Sequence, residues 1–272
     1  MGSVTLYDLD MKEINMRGVK WLEFSPDPPS VEENIEKVHH GDIPLGNTRN
    51  SRLIQAKLWA KAYDKLDYKL LLNEIYVHLN PQNYYFAVDD DLPGRRWKVR
   101  AQDLNITRVN PTTAEIAVVF YCPKGLAESI HYTLDEFDTD PGKWATGMGL
   151  EADVDKQDYT HSTGLFSIYN AGNVEVDPRE SGLLITIRAV NGGTGNISIT
   201  NSNTSENWRY EGPVNAGDVF RIDGVKSTRN FMNVVGQTNL GLISLRPGSN
   251  AISVSGLNAG FVISFDFRYL YQ

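Results

Sequence analysis

The densest run of ionisable side chains in the sequence is Asp89-Asp90-Asp91, and paired carboxylates are the groups that hydrolyse glycosides or hold divalent metals. Adjacent residues of an extended chain point to opposite sides. No second carboxylate cluster stands at a spacing that would face this one, and Leu92-Pro93-Gly94 follows directly, so the run reads as a solvated hairpin tip. Asp153-x-Asp155-x-Gln157-Asp158 opens like a calcium loop. It has Asp158 where the sharp turn needs glycine and Gly164 where a bidentate glutamate belongs, which excludes an EF-hand and leaves only a looser calcium site open. His39, His40, His78, His131 and His161 form neither a His-Glu-x-x-His pair nor a finger spacing, and Cys122 has no second thiol with which to share a metal. Cys122 ends an apolar run and reads as an inert core thiol. Asn191-Gly192-Gly193-Thr194-Gly195 is glycine-rich, but a strand follows it, not a helix whose N-terminus could hold phosphate; it reads as a hairpin turn. No catalytic residue, metal site or cofactor is expected.

Flat rings offer a different chemistry. Trp208 and Tyr210 alternate on one side of a short strand with Arg209 opposite, and Trp144 lies in an acidic segment. Exposed, such rings would stack on the apolar face of a pyranose, as in a carbohydrate-binding β-sandwich that recognises cell-wall glycans. Buried, they would simply fill the core of an aromatic-rich β domain, and their spacing allows both.

The elements that must carry these side chains are mostly strands. In residues 261–271, Phe261, Ile263, Phe265, Phe267, Tyr269 and Tyr271 share one face at period two, which predicts one closing strand with a half-buried face. A chain of 272 residues predicts two cores. Composition divides it near residue 134: six glycines and nine lysines precede that point, and 17 glycines and three lysines follow it. We therefore expect domains at 1–133 and 134–272. In the first, residues 4–9 and 19–24 read as strands, and the prolines from Pro26 to Pro29 forbid regular structure beyond the second of them. Residues 52–64 fit either alternation or a helical stripe. In 66–79, Leu71, Ile75 and Leu79 with Leu72 and Tyr76 predict one helix, stopped by Asn80-Pro81. A hairpin around residues 84–99 and a strand over 114–122, buried on both faces, complete this part. Short strands at even spacing follow in the second: 165–169, 183–189, 196–200, 208–210, 218–223, 240–245 and 251–254. The predicted fold class is mainly β, an N-terminal β domain with one α-helix followed by a C-terminal jelly-roll sandwich.

Composition also excludes functions. The net charge of −8 is the wrong sign for gripping phosphate backbones. No apolar run is long enough to span a bilayer, and residues 1–10 hold no basic cluster ahead of an apolar stretch, so no secretory signal is expected.

A strand ahead of residues 66–79, that helix, and the hairpin from Tyr84-Tyr85-Phe86 through Pro93-Gly94-Arg95-Arg96-Trp97 to Val99 follow one another in a familiar order. Residues 112–122 come next, then Leu245-Arg246-Pro247-Gly248-Ser249-Asn250 before a short strand, and Phe265-Asp266-Phe267-Arg268-Tyr269-Leu270-Tyr271 at the end. In this order of parts the chain resembles the distal tail proteins of long-tailed, non-contractile bacteriophages, the baseplate or tail-tip hubs. The resemblance implies that residues 52–64 are a strand, that the first domain forms a ring and that the second is galectin-like. It further implies a non-enzymatic virion component made in the host bacterial cytoplasm: a homo-hexameric ring between tail tube protein and tail-tip (tail-associated) protein, with receptor-binding proteins at its rim. DNA would pass through its channel without specific binding. Ring closure needs one patch to meet a different patch on the neighbour. Residues 25–50, with Pro28, Pro29, Ile43, Pro44 and Leu45 in a segment of little regular structure, are the candidate for an arm that reaches across, and a plain surface loop is the alternative.

Overall fold

The computed structural model describes residues 4–135, 148–149 and 158–272, and the chain divides into two compact units, Met1–Glu128 and Ser129–Tyr271. Both are built mainly of antiparallel strands. The first contains β1 (Val4–Tyr7), β2 (Val19–Pro26), β3 (Val31–Val38), β4 (Gly41–Arg49), β5 (Arg52–Lys61), α1 (Lys65–His78), β6 (Tyr85–Asp89), β7 (Arg95–Asn110) and β8 (Thr113–Cys122), with β9 (Ala127–Ser129) at the division. Six of these strands lie in the order β1-β6-β7-β8-β5-β2.

Residues 52–61 satisfy two periodicities, and the ladder decides between them. β5 pairs with β8 along its whole length, placing Ile54 opposite Phe120, Ala56 opposite Val118 and Leu58 opposite Ile116, all buried on one face. The helix starts only where Asp64 can cap it, its carboxylate accepting from the backbone N–H of Leu66 and of Asp67 at 2.8 Å each. Tyr68, Leu71, Ile75 and Leu79 then close over the strand face in a single core. Tyr76 does not join them and stays exposed. Residues 113–122 are buried on one face only, because Glu115 and Ala117 on the other are exposed. The strand before the proline run continues through Pro26, where β2 is an outer strand of the sheet and Pro26 needs no N–H for a further neighbour.

The second unit holds β10 (Thr160–His161), β11 (Leu165–Asn170), β12 (Leu183–Ala189), β13 (Gly193–Asn201), β14 (Glu206–Tyr210), β15 (Asp218–Asp223), β16 (Lys226–Arg229), β17 (Met232–Asn233), β18 (Gly248–Leu257), β19 (Val262–Phe267) and β20 (Leu270–Tyr271). They form a sheet in the order β10-β19-β12-β15-β16-β17 and another in the order β11-β18-β13-β14. The two sheets face each other through Phe166 and Phe265, with ring centroids 6.0 Å apart, and through Tyr210 and Phe220 at 4.9 Å. This is a β-sandwich.

Three expectations change here. Residues 240–245 form no strand: Leu245 makes one isolated bridge to Val176, and the segment is held by buried amides. Asn201 Nδ2 donates to the Ser244 carbonyl at 2.8 Å, Asn170 Nδ2 to that of Leu245 at 3.0 Å, and Asn250 takes the Arg246 N–H at 3.0 Å. The glycines from Gly193 to Gly195 lie inside β13, not in a turn, and the register shifts there between Gly193 and Ser198. The closing run is split into β19 and β20, because at Arg268 the guanidinium turns to the carbonyls of Ser129 and Ile130 and lies over the Tyr132 ring.

At the end of that run the buried hydroxyls of Tyr159 and Tyr269 share a hydrogen bond of 2.6 Å, and Tyr159 Oη also lies 2.8 Å from the Tyr169 carbonyl. Burial pushes the Tyr159 phenol up to about 12, and burial beside Tyr159 raises Tyr269 as well. A phenol that holds its proton more tightly folded than unfolded contributes fully below the unfolded pKa of about 10 and loses that contribution as pH rises towards the folded value. Urea midpoints of the second unit should therefore be flat across neutral pH and fall from about pH 10 upward. A midpoint that stays constant through that window would contradict the buried pair.

Candidate assembly interface

The segment proposed as an arm is regular. β3 and β4 pair as a two-stranded hairpin of their own, joined to no other strand among the described residues, and turn through His39 and His40 with Gly41 at φ +117°. Its base is tied to the unit by the Asn50 N–H donating to the Ser30 carbonyl at 3.1 Å and the Asp27 N–H to that of Leu53 at 2.9 Å. Val31, Glu33, Ile35 and Lys37 lie on one face, and Glu32, Asn34, Glu36 and Val38 on the other. Leu45 is the extra residue of a bulge between the pairs Asn34–Gly46 and Ile35–Pro44.

Not one side chain from Pro28 to Arg49 is buried, and Leu45 is 65% exposed. A two-stranded hairpin without a third strand or a packed face is marginal in water. Pro28 and Pro29 just ahead of it and Ile43, Pro44 and Leu45 on it are all presented to solvent, an exposed apolar surface of the kind that marks an interaction site.

The other candidate side chains fall elsewhere. Trp208 is 1% exposed and Tyr210 not at all. Both point between the sheets of the second unit, with Trp208 Nε1 donating to Ser227 Oγ at 3.1 Å, so neither ring offers a face to a sugar. Trp144, Asp153, Asp155 and Gln157 lie outside the described residues. Asp89 accepts from the Asp91 N–H at 3.0 Å and its carbonyl from Leu92, which closes the β6–β7 turn as read. The Cys122 thiol is buried and pushed up in pKa by that burial. Among the described residues no group of three or more His, Cys, Asp or Glu could hold a metal ion, and no helix is long and apolar enough to cross a membrane.

Sequence reading missed a second exposed surface, on α1 and the residue just ahead of its cap. Tyr63, Leu66, Leu70, Tyr76 and Val77 are each more than half exposed. The available signal was a helix apolar on both sides, since surface helices normally keep a polar outer face.

Residues 10–122, from the end of β1 to the end of β8, match the phage tail protein RIFT-related domain family. The match lies within the first unit. The Dit protein of phage SPP1, described as a paradigm of the hub adsorption apparatus of phages that infect Gram-positive bacteria, matches 98% of this chain with 99% of its own at TM-score 0.70 and 11% identity. At that identity the likeness is one of fold, and it extends beyond the matched residues through the β-sandwich. Chains from the phage p2 baseplate in its activated conformation, with Sr and with Ca, cover 98% and 99% of this chain at 10% and 11% identity, with TM-scores of 0.43 and 0.39, too low to argue from. No curated protein matches the sequence.

Proposed function

We propose that this protein is the ring-forming hub of a phage tail tip. It is a non-enzymatic virion component, made in the cytoplasm of the host bacterium, in which six copies join the tail tube protein to the tail-tip protein, carry receptor-binding proteins at the rim and surround the channel through which DNA leaves. The observation that carries the reading is the hairpin β3–β4: the unit that matches the phage tail family displays a ribbon that pairs with no further strand among the described residues. A heterologous contact, arm on one side and receiving surface on the other, closes into a ring when the rotation allows. The fold shared with SPP1 Dit supports the same role. The chain's charge of −8 suits a channel that DNA must traverse without sticking. The interface candidates are Pro28, Pro29, Ile43, Pro44 and Leu45. Trp208 and Tyr210 lie inside the sandwich and offer no face to a glycan.

Native mass spectrometry tests the ring. Six copies of the 30.5 kDa chain are the expected closed species. A strict monomer at the highest soluble concentration would count against the hub.

A further inference from the structure

We propose that the exposed face of α1 pairs with the same face of α1 in a second copy, the two helices running parallel. Leu66, Leu70, Asn73 and Val77 follow one another at steps of four, three and four residues, the spacing of alternating d and a positions of a heptad. At 100° per residue they lie within about 60° of one another, opposite Tyr68, Leu71 and Ile75 in the core. All four are exposed, Leu66 at 72% and Val77 at 70%. A surface helix of a folded unit keeps a polar outer side, whereas a second apolar seam at heptad spacing is what a helix-to-helix contact requires. The Asp64 cap and the core already hold the helix, so pairing has no new structure to order.

Charge identifies the occupant and its direction. Lys69 and Glu74 flank the seam on opposite sides, each about 70° from its centre. They take a g and an e position five residues apart, the places whose charges set partner and orientation in paired helices. Two parallel copies in register bring Lys69 of each beside Glu74 of the other, because the g side of one helix meets the e side of its neighbour. Antiparallel copies bring like sides together, lysine to lysine and glutamate to glutamate. Lys69 has no ion pair among the described residues, and Glu74 lies 3.9 Å from His78. The parallel register also sets Asn73 against its own counterpart, a polar match inside the seam. This contact joins like patches about a two-fold axis, so it is separate from the heterologous contact assigned to the hairpin and does not rest on it. Two heptads bury little surface, which makes an isolated pair weak, with a Kd of about 0.1 mM or above.

Single-cysteine variants of the full chain test the contact under mild oxidation; buried Cys122 does not compete. Leu66→Cys and Val77→Cys are each expected to give a disulfide-linked dimer on a denaturing gel, whether or not the chain also forms a ring. The rate should exceed at least about tenfold that of Lys65→Cys, whose place off the seam gives the collisional background. Crosslinking confined to a mixture of Leu66→Cys with Val77→Cys overturns the parallel arrangement, and background rates for both variants overturn the contact. Glu74→Lys should weaken the pairing about fivefold to tenfold in sedimentation equilibrium, and Lys69→Glu added to it should restore the pairing, since the exchanged charges are again complementary. Pairing that Glu74→Lys leaves unchanged, or that the second substitution does not restore, overturns the charge register. None of these side chains is buried, so every variant should keep the parent circular dichroism spectrum.

Discussion

Trp208→Ala is expected to destabilise the second unit by about 3–5 kcal/mol, the range for removing a fully buried large aromatic side chain. Two effects add. The indole is 1% exposed between the sheets, so its loss opens a cavity in the core. It also leaves the buried hydroxyl of Ser227 without the indole N–H that it accepts at 3.1 Å. Urea unfolding followed by the far-ultraviolet signal measures the shift. A variant as stable as the parent would mean that Trp208 does not sit in the core. Any loss of glycan binding in this variant would report unfolding of the sandwich and not the removal of a sugar platform.

The other large effect belongs to the hairpin. Replacing residues 30–50 by a short glycine-serine linker is expected to abolish assembly and yield a monomer, while the stability of the first unit changes by less than about 1 kcal/mol. Both halves follow from exposure: no residue from Pro28 to Arg49 is buried, so the core over β5, β8 and α1 loses nothing. The linker spans the Asn50 to Ser30 closure already present at the base of the ribbon. Light scattering and a urea titration on the same preparation check both halves. A monomer that is also strongly destabilised would show the hairpin to be part of the fold and not an arm.

The strands over 183–189 and 218–223 are read from sequence to the residue, because Leu183, Ile185 and Ile187, and Phe220 and Ile222, alternate with polar or half-buried neighbours. α1 is equally plain in extent, with Asp64 as its cap and Asn80-Pro81 beyond its end. The hairpin at 31–49 leaves no such trace. Neither of its faces is buried, so no contrast at period two develops, and Pro44 and the glycines at 41 and 46 argue against a strand. It is held by backbone pairing and one cross-strand side-chain hydrogen bond, Asn34 Nδ2 to Thr48 Oγ1 at 2.8 Å. Residues 240–245 mislead in the opposite direction: Ile243 and Leu245 are buried as a strand's would be, yet the amides of Asn170 and Asn201 supply the partners that a ladder would otherwise provide.

The sequence by itself determined that this protein is mainly β with one helix, because hydrophobic period is a local property and each strand or helix announces its own buried face. Its order of parts also pointed to the phage tail family. Burial and pairing were decided only by the tertiary structure. Whether Trp208 is a platform or a core residue, whether residues 52–61 are strand or helix, and whether Leu66, Leu70 and Leu45 are buried or exposed depend on what lies across from them. Contacts between residues far apart in the chain set that, as the pairing of β5 with β8 and of Trp208 with Ser227 shows.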